Sequence, residues 1–363
     1  MSRYFFYLFL MCMFINTIFF VPRLLMNERF DGAIMSVILA VIIGSTSAIL
    51  FTKAMRKFPG EGLPEITARM LPGFLRIPLL LFLGVMWAIA GAVILISFSM
   101  ITLRFLNPEA NATVLLLCYC TVGAWSARFR PVAILNLAEF IIVLNSPFVL
   151  YIMFKTLSSP WFDWDSVKIL SDYVLHPPTW TAVAAASYPF TGYINMALYN
   201  RAFNQTRLKG LWLIPIIGVS ILFVSFVVPI GLLGIDSSGD YLYTWITAAD
   251  TLRMQYGFIE RVVYLFLFIY IGFSLLFVTV TWNVGALLIR DCFKRRNLTI
   301  KKVKVPLATI ICVSFAAATL IAGIYLDDKS LIGFVAHWQI LRLASETFLV
   351  LLVVWLSWRN KYA

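Results

Sequence analysis

Residues Ser187–Met196 read SYPFTGYINM, and they combine features that a continuous helix avoids. Pro189 has no backbone N–H, and its ring presses on the preceding turn. Gly192 frees the backbone to leave helical angles. Ser187, Tyr188, Thr191, Tyr193 and Asn195 place five polar-capable side chains around the same point. A helix interrupted there offers free N–H and C=O groups that can hold a carboxylate or an ammonium. The plainer alternative is a proline kink whose freed groups are taken up by neighbouring helices. A second polar pair, Asn16-Thr17, interrupts the apolar run Met13–Leu25 (MFINTIFFVPRLL), with Pro22 beyond it. Three charged side chains also lie within apolar stretches. Arg342 and Glu346 are spaced i, i+4 and can pair directly on a helix, and Glu139 follows Asn136 at i+3. Glu139 is a candidate for proton coupling, with a structural role as the alternative. The Arg342–Glu346 pair is a candidate extracellular gate.

The elements that must position these residues follow from composition. Of 363 residues, 61% are hydrophobic and 13% charged, and the mean hydropathy is +0.90. A soluble domain carries about 25% charged residues. A bilayer core of about 30 Å takes roughly 20 apolar residues as a helix. Ten stretches qualify: Tyr4–Pro22, Gly32–Phe51, Ile77–Leu103, Ala112–Ala127, Pro131–Phe154, Trp180–Tyr199, Leu211–Ile235, Val262–Ile289, Pro306–Leu326 and Ile332–Trp358. The fourth is short and the sixth interrupted. Lipid offers no partners to the backbone, so these spans are expected to be helices in an all-α polytopic membrane protein. The first has a basic start but no small-x-small cleavage site before Pro22, so it is expected to be retained.

Lys and Arg set the orientation. With the N-terminus in the cytoplasm, the inner segments hold 20 of the 29 basic residues and three acids, about +17. The outer segments hold eight basic residues and 12 acids, −4, and the spans −1. Even parity then puts both termini in the cytoplasm. The net charge of +12 is explained by this asymmetry, and a nucleic-acid partner is not needed. Five cysteines and two histidines, with no cysteine in an outer segment, give neither a disulfide framework nor a metal site. No phosphate-binding loop is present, and no cofactor is implied.

Three connections are long. Residues 53–76 are expected to hold a short amphipathic helix started by Pro64 and stopped at Pro72-Gly73. Residues 155–179 carry Trp161 and Trp164, with Trp180 just beyond, all suited to the headgroup level. Residues 236–261 are expected to hold one short helix over Trp245–Met254. The whole chain, 1–363, is read as one membrane domain. It divides as five spans plus five, repeat one about 1–155 and repeat two about 180–363, with opposite topology. That is the inverted-repeat arrangement of secondary transporters, in which the first helix of each half is broken. Spans 1 and 6 are those helices, and Asn16-Thr17 is expected to face the Thr191-Gly192 break.

The chain resembles the B-subunit permeases of bacterial spore germinant receptors, within the amino acid–polyamine–organocation superfamily. The resemblance rests on length, the ten spans and four local patterns. These are Lys53–Ile66 (KAMRKFPGEGLPEI), Pro22-Arg23, Ala138-Glu139 and the Pro-Phe-x-Gly of Pro189–Gly192. It implies a LeuT-like fold and a pocket between spans 1 and 6, lined by spans 3 and 8. Asn16, Thr17, Tyr188, Phe190, Thr191 and Gly192 are the pocket candidates, with Ser97 and Tyr270 as wall residues. It also implies a nutrient-sensing subunit of the spore inner membrane, working with an A subunit and a lipoprotein C subunit. Superfamily members often carry a Gly-x-Gly break in span 1, whereas here Ile15-Asn16-Thr17 takes that place. Either Asn16 supplies a side-chain donor, or the ligand is not an ordinary α-amino acid. An ion-coupled amino-acid transporter would use the same pocket. A lipid-modifying enzyme would need a His, Asp or Cys cluster near the interface, and the sequence has none.

Overall fold

The computed structural model describes residues 2–203, 210–252, 262–293, 297–300 and 303–360. The chain runs α1 Ser2–Asn16, α2 Phe20–Asn27, α3 Ala33–Met55, α4 Leu63–Met70, α5 Gly73–Phe105, α6 Ala112–Ser126, α7 Pro131–Leu157, α8 Trp164–Ile169, α9 Trp180–Ser187, α10 Met196–Tyr199, α11 Leu213–Leu233, α12 Thr244–Thr251, α13 Val262–Arg290, β1 Asn297–Ile300, β2 Val303–Pro306, α14 Leu307–Tyr325 and α15 Asp328–Arg359. A 3-10 helix, Tyr188–Asn195, joins α9 to α10.

Seven of these helices are long and apolar enough to cross a membrane, or eight if the bent pair α1–α2 is one span. The other two expected spans are the 15-residue α6 and the composite α9–α10, each too short to qualify alone. The fold departs from all-α at a two-stranded antiparallel hairpin, β1–β2. The amphipathic helix of residues 53–76 is α4, with Pro64 in its first turn and the Glu65 carboxylate accepting the Gly62 N–H at 2.9 Å. The helix expected at Trp245–Met254 is α12, and its last two expected residues lie outside the described residues, as do Arg207, Lys209, Lys294, Arg295, Arg296, Lys301, Lys302 and Lys361.

Span 1 breaks at residues 17–19, where α1 and α2 bend by 51°. The carbonyls released at the bend do not wait for solvent. Tyr270 on α13 donates its hydroxyl to Phe14 O at 2.8 Å, and Ser225 on α11 donates to Thr17 O at 2.9 Å. Span 6 changes pitch instead of opening. Pro189 cannot donate, Tyr188 N–H already bonds Ala185 O three residues back, and the ladder continues as a 3-10 helix. That helix has 3.0 residues per turn, so side chains three apart share a face.

The three faces of the 3-10 segment make different principal contacts. Gly192 meets α1, where a Cβ would lie 2.5 Å from Leu8 O and from Phe9 Cα. Phe190 is fully buried and fills a slot between Gly44 of α3 and Gly218 of α11. A Cβ at Gly218 would sit 2.2 Å from the Phe190 ring, and one at Gly44 2.5 Å from it. Tyr188, Thr191 and Ile194 form the third face and turn toward α5, α13 and α15. Phe190 therefore fixes the rotation of the segment and, through it, which residues face the cavity.

Gly218→Ala is expected to lower stability by about 1–3 kcal/mol through overpacking against Phe190. Phe190→Leu in the same chain should return part of the loss. Thermal melts of the detergent-solubilised protein check this, and strictly additive losses would refute the slot.

Candidate functional site

The face formed by Tyr188, Thr191 and Ile194 lines one side of a cavity of about 40 Å³. Asn195 of the same segment, Cys12 of α1, Leu83, Met86, Trp87 and Ala90 of α5, Phe277 and Thr281 of α13, and Trp338, Arg342, Ser345, Glu346 and Leu349 of α15 complete it. A buried water needs roughly 10–15 Å³ measured in this way. The cavity thus has room for no more than a few waters in this conformation and must widen to admit a molecule of amino-acid size.

Its charged wall is the Arg342–Glu346 pair, both residues less than a tenth exposed. Arg342 donates to Glu346 Oε2 (2.5 Å), Ala184 O (2.6 Å), Ser187 Oγ (2.7 Å) and Gln339 Oε1 (2.9 Å), and its guanidinium lies 4.9 Å from the Tyr188 ring centroid. The other carboxylate oxygen of Glu346 accepts the Tyr193 hydroxyl at 2.5 Å. The pair therefore ties α15 to the end of α9 and to the 3-10 segment at once. Trp87 Nε1 donates to Asn195 Oδ1 (2.9 Å), which ties α5 to the same segment. Nearby, Thr191 and Cys12 meet at 3.0 Å, joining the two interrupted spans. Two buried donors in this region have no partner among the described residues, Trp338 Nε1 in the cavity wall and Gln339 Nε2 beside Arg342.

Both ends of the bundle are fastened. At the end rich in basic residues, Arg201 bonds Glu65 (2.7 Å) and Asp291 (2.5 Å), and Asn200 Nδ2 donates to Phe58 O and Glu61 O. At the opposite end Arg23 donates to Gly239 O and Tyr241 O, Arg29 to Ile235 O and Asp236 O, and Tyr243 to Asp328. The loop between α7 and α9 folds back at this second end through an N-cap. There the Ser166 hydroxyl and the Asp165 N–H hold the Asp163 carboxyl below the usual carboxylate range.

The expected site residues divide. Tyr188 and Thr191 line the cavity, and Gly192 and Phe190 position them from neighbouring faces. Pro189 sits where the pitch changes. Asn16-Thr17 does not face Thr191-Gly192. Cys12, Leu8 and Phe9 do, because span 1 bends one turn beyond the point where it crosses the 3-10 segment. Asn16 instead donates to Cys12 O at 2.7 Å, behind the cavity wall, and its Oδ1 is buried without a partner among the described residues. Thr17 and Tyr270 line a separate cavity of about 30 Å³ with Phe14, Trp245 and Phe266. Ser97 lies two turns beyond Ala90, bonded to Val93 O and away from the cavity. Glu139 is drawn to the start of α1, paired with Arg3 at 3.1 Å, while Asn136 accepts from Tyr4. Arg342 and Glu346 stand in the middle of α15, in the cavity wall and not at a helix end. Trp87, Phe277, Trp338 and Cys12 were not picked out from the sequence. Each is an apolar or weakly polar residue within an apolar run, and only the helix crossings select them.

This is the architecture of a LeuT-fold transporter. The structure matches that of Mhp1, a nucleobase-cation-symport-1 family transporter in a closed conformation with bromovinylhydantoin bound. The TM-score is 0.54 at 14% identity, over 96% of this chain and 76% of that one. At the level of sequence, the profile of the spore germination protein family (Spore_permease) matches residues 2–325, and the chain belongs to that family. No curated protein matches significantly by sequence. The chain is a multi-pass membrane protein with a transporter fold, and not an enzyme.

Glu346→Ala leaves Arg342 buried without its counter-charge, and is expected to lose about 3–5 kcal/mol. Arg342→Met combined with Glu346→Leu should recover most of it. Melting of the three variants checks this, and a Glu346→Ala protein as stable as the parent would remove the pair from any structural role.

Proposed function

We propose that the chain is the nutrient-sensing B subunit of a spore germinant receptor. It binds an amino acid or similar small nutrient where spans 1 and 6 cross, and passes the resulting change to an A subunit and a lipoprotein C subunit. One observation carries this reading: Arg342 and Glu346, the latter held by the Tyr193 hydroxyl, line a cavity at the crossing of the two interrupted spans. A zwitterion has one group for each partner. Its carboxylate competes with Glu346 for Arg342, and its ammonium replaces Arg342 at Glu346.

The freed backbone carbonyls at both interruptions are already bonded by side chains, so recognition falls to side chains: Arg342, Glu346, Thr191, Tyr188 and the unpartnered Trp338 N–H. The small cavity means that binding must separate α15 from the 3-10 segment. A ligand shifts a conformational equilibrium by as much as it prefers one state. Here the favoured state has the ligand in place of the internal ion pair, and the movement of α15 is the signal.

The ten spans, their division into residues 1–155 and 180–363, and cytoplasmic termini in the spore inner membrane belong to the same reading. They are supported by the segregation of Arg3, Lys57, Arg69, Arg128, Arg201, Arg290 and Arg359 to one end of the bundle. The transporter fold favours a second reading, an ion-coupled amino-acid transporter. Glu346 is then the coupling carboxylate, since Glu139 is held by Arg3 away from the cavity.

Dipicolinate release from spores lacking this gene, against single amino acids, sugars and nucleosides, separates the two. Loss of response to one nutrient class with uptake intact supports the receptor. Unchanged germination with lost uptake supports the transporter. In complementation, Thr191→Leu is expected to abolish the response while the protein still reaches the membrane. Arg342→Ala should impair it severely, and Lys329→Ala, at the exposed start of α15, should leave it unchanged. A normal response from Thr191→Leu at unchanged ligand concentration would refute this placement.

A further inference from the structure

At the basic end of the bundle lies a second, larger cavity of about 470 Å³, between the end of α6, the start of α7, the end of α13 and the start of α14. Four arginines line it, Arg128, Arg130, Arg201 and Arg290, and among the described residues no carboxylate does. Two of the four are balanced from behind. Asp291 pairs with Arg201 and with Arg290, and Glu65 with Arg201. Arg128 and Arg130 have no carboxylate partner among the described residues, and Arg128 is laid against Trp125 at 4.7 Å. The cavity thus presents about two uncompensated positive charges in a concave site.

The backbone adds to this. α7 and α14 both begin at the rim, at Pro131 and Leu307, and neither has a side-chain cap. Pro131 has no N–H, so the orphan donors at the rim are those of the first turn of α14, at Ala308 and Thr309, and α7 adds only the positive end of its dipole. Guanidinium groups and orphan N–H donors together suit tetrahedral oxyanions, and the planar fork of arginine fits phosphate in particular. The surroundings narrow the source. Trp125 and Phe129 at the mouth are 62% and 46% exposed, beside the exposed Arg128 and Arg130. An indole at the headgroup level with basic side chains beside it is how a protein meets the polar face of a bilayer.

We infer that this cavity is a binding site for the phosphate of an anionic phospholipid headgroup. Arg128 and Arg130 supply the charge, the N-terminus of α14 supplies further donors, and Trp125 and Phe129 meet the glycerol and upper acyl region. The site is remote from the cavity at the span crossing and independent of what that cavity binds.

The test uses the full chain reconstituted in vesicles of phosphatidylcholine alone, or of equal parts phosphatidylcholine and phosphatidylglycerol. Thermal stability is read in each, and co-purifying lipid is counted by native mass spectrometry. The parent is expected to melt higher with phosphatidylglycerol and to retain it selectively. Arg128→Gln with Arg130→Gln should weaken retention by roughly thirtyfold, following the usual contribution of each basic side chain at an anionic surface. The pair should melt like the parent in pure phosphatidylcholine, which shows that it folds. If it does not fold, Arg130→Lys alone carries the test, with a smaller loss of retention expected. Lys53→Ala with Arg56→Ala, exposed at the same end, is the control for diffuse attraction and should retain lipid normally. Equal loss in the control pair, or no loss in the arginine pair, overturns the site. Stabilisation of the parent by inorganic phosphate in pure phosphatidylcholine, without selective lipid retention, overturns the lipid in favour of a free phosphate.

Discussion

Pro189 removes a backbone donor at a depth where water cannot replace it, and much of the structure answers that deletion. In a bilayer an unsatisfied backbone group costs several kcal/mol. The chain avoids the penalty by tightening span 6 into a 3-10 helix whose carbonyls are held by side chains. Thr191 and Cys12 serve Tyr188 O, Arg342 serves Ala184 O, and Asn195 serves Gly192 O. The change of pitch also changes what the segment presents. Three residues per turn align Tyr188, Thr191 and Ile194 on the cavity, where an α-helix would have drifted them apart.

The same logic makes the Arg342–Glu346 pair intelligible. A buried ion pair is weak evidence for stability, because desolvation offsets much of its attraction. This pair has additional partners that hold its geometry: Gln339, Ser187, Ala184 and Tyr193. Its atoms reach α9, the 3-10 segment and α15 together. One electrostatic contact thus links three segments, which is why the proposed ligand is one that replaces it. Both ends of the bundle are fastened by arginines to backbone carbonyls and carboxylates.

Arginines at the two cavities do different physical work. At the span crossing a single arginine is buried, fully bonded and internal. At the basic end Arg128 and Arg130 are exposed, lack carboxylate partners and sit beside aromatic rings. The positive-inside bias therefore has a spatial component that a charge count does not contain: two of the charges are collected into a concavity between four helices.

Much of the fold was legible in the chain itself. Apolar runs of bilayer length, a proline and glycine in the middle of the sixth, and the sorting of Lys and Arg are one-dimensional facts with direct physical consequences. They gave the helices, the two interruptions and the positions of Tyr188, Thr191, Arg342 and Glu346 as residues out of place in an apolar span. What the chain could not determine was which helical faces meet. Asn16 lies one turn past the crossing, so Cys12 takes its expected place. Phe190 is a wedge between two glycines and not a wall, and Ser97 and Tyr270 lie too far along their helices. Glu139 is claimed by Arg3. Each of these depends on crossing points and helix rotations, which are set by close packing of side chains from distant segments. A periodic apolar sequence is nearly degenerate with respect to rotation in lipid, and only the tertiary contacts, such as Phe190 in its glycine slot, resolve it.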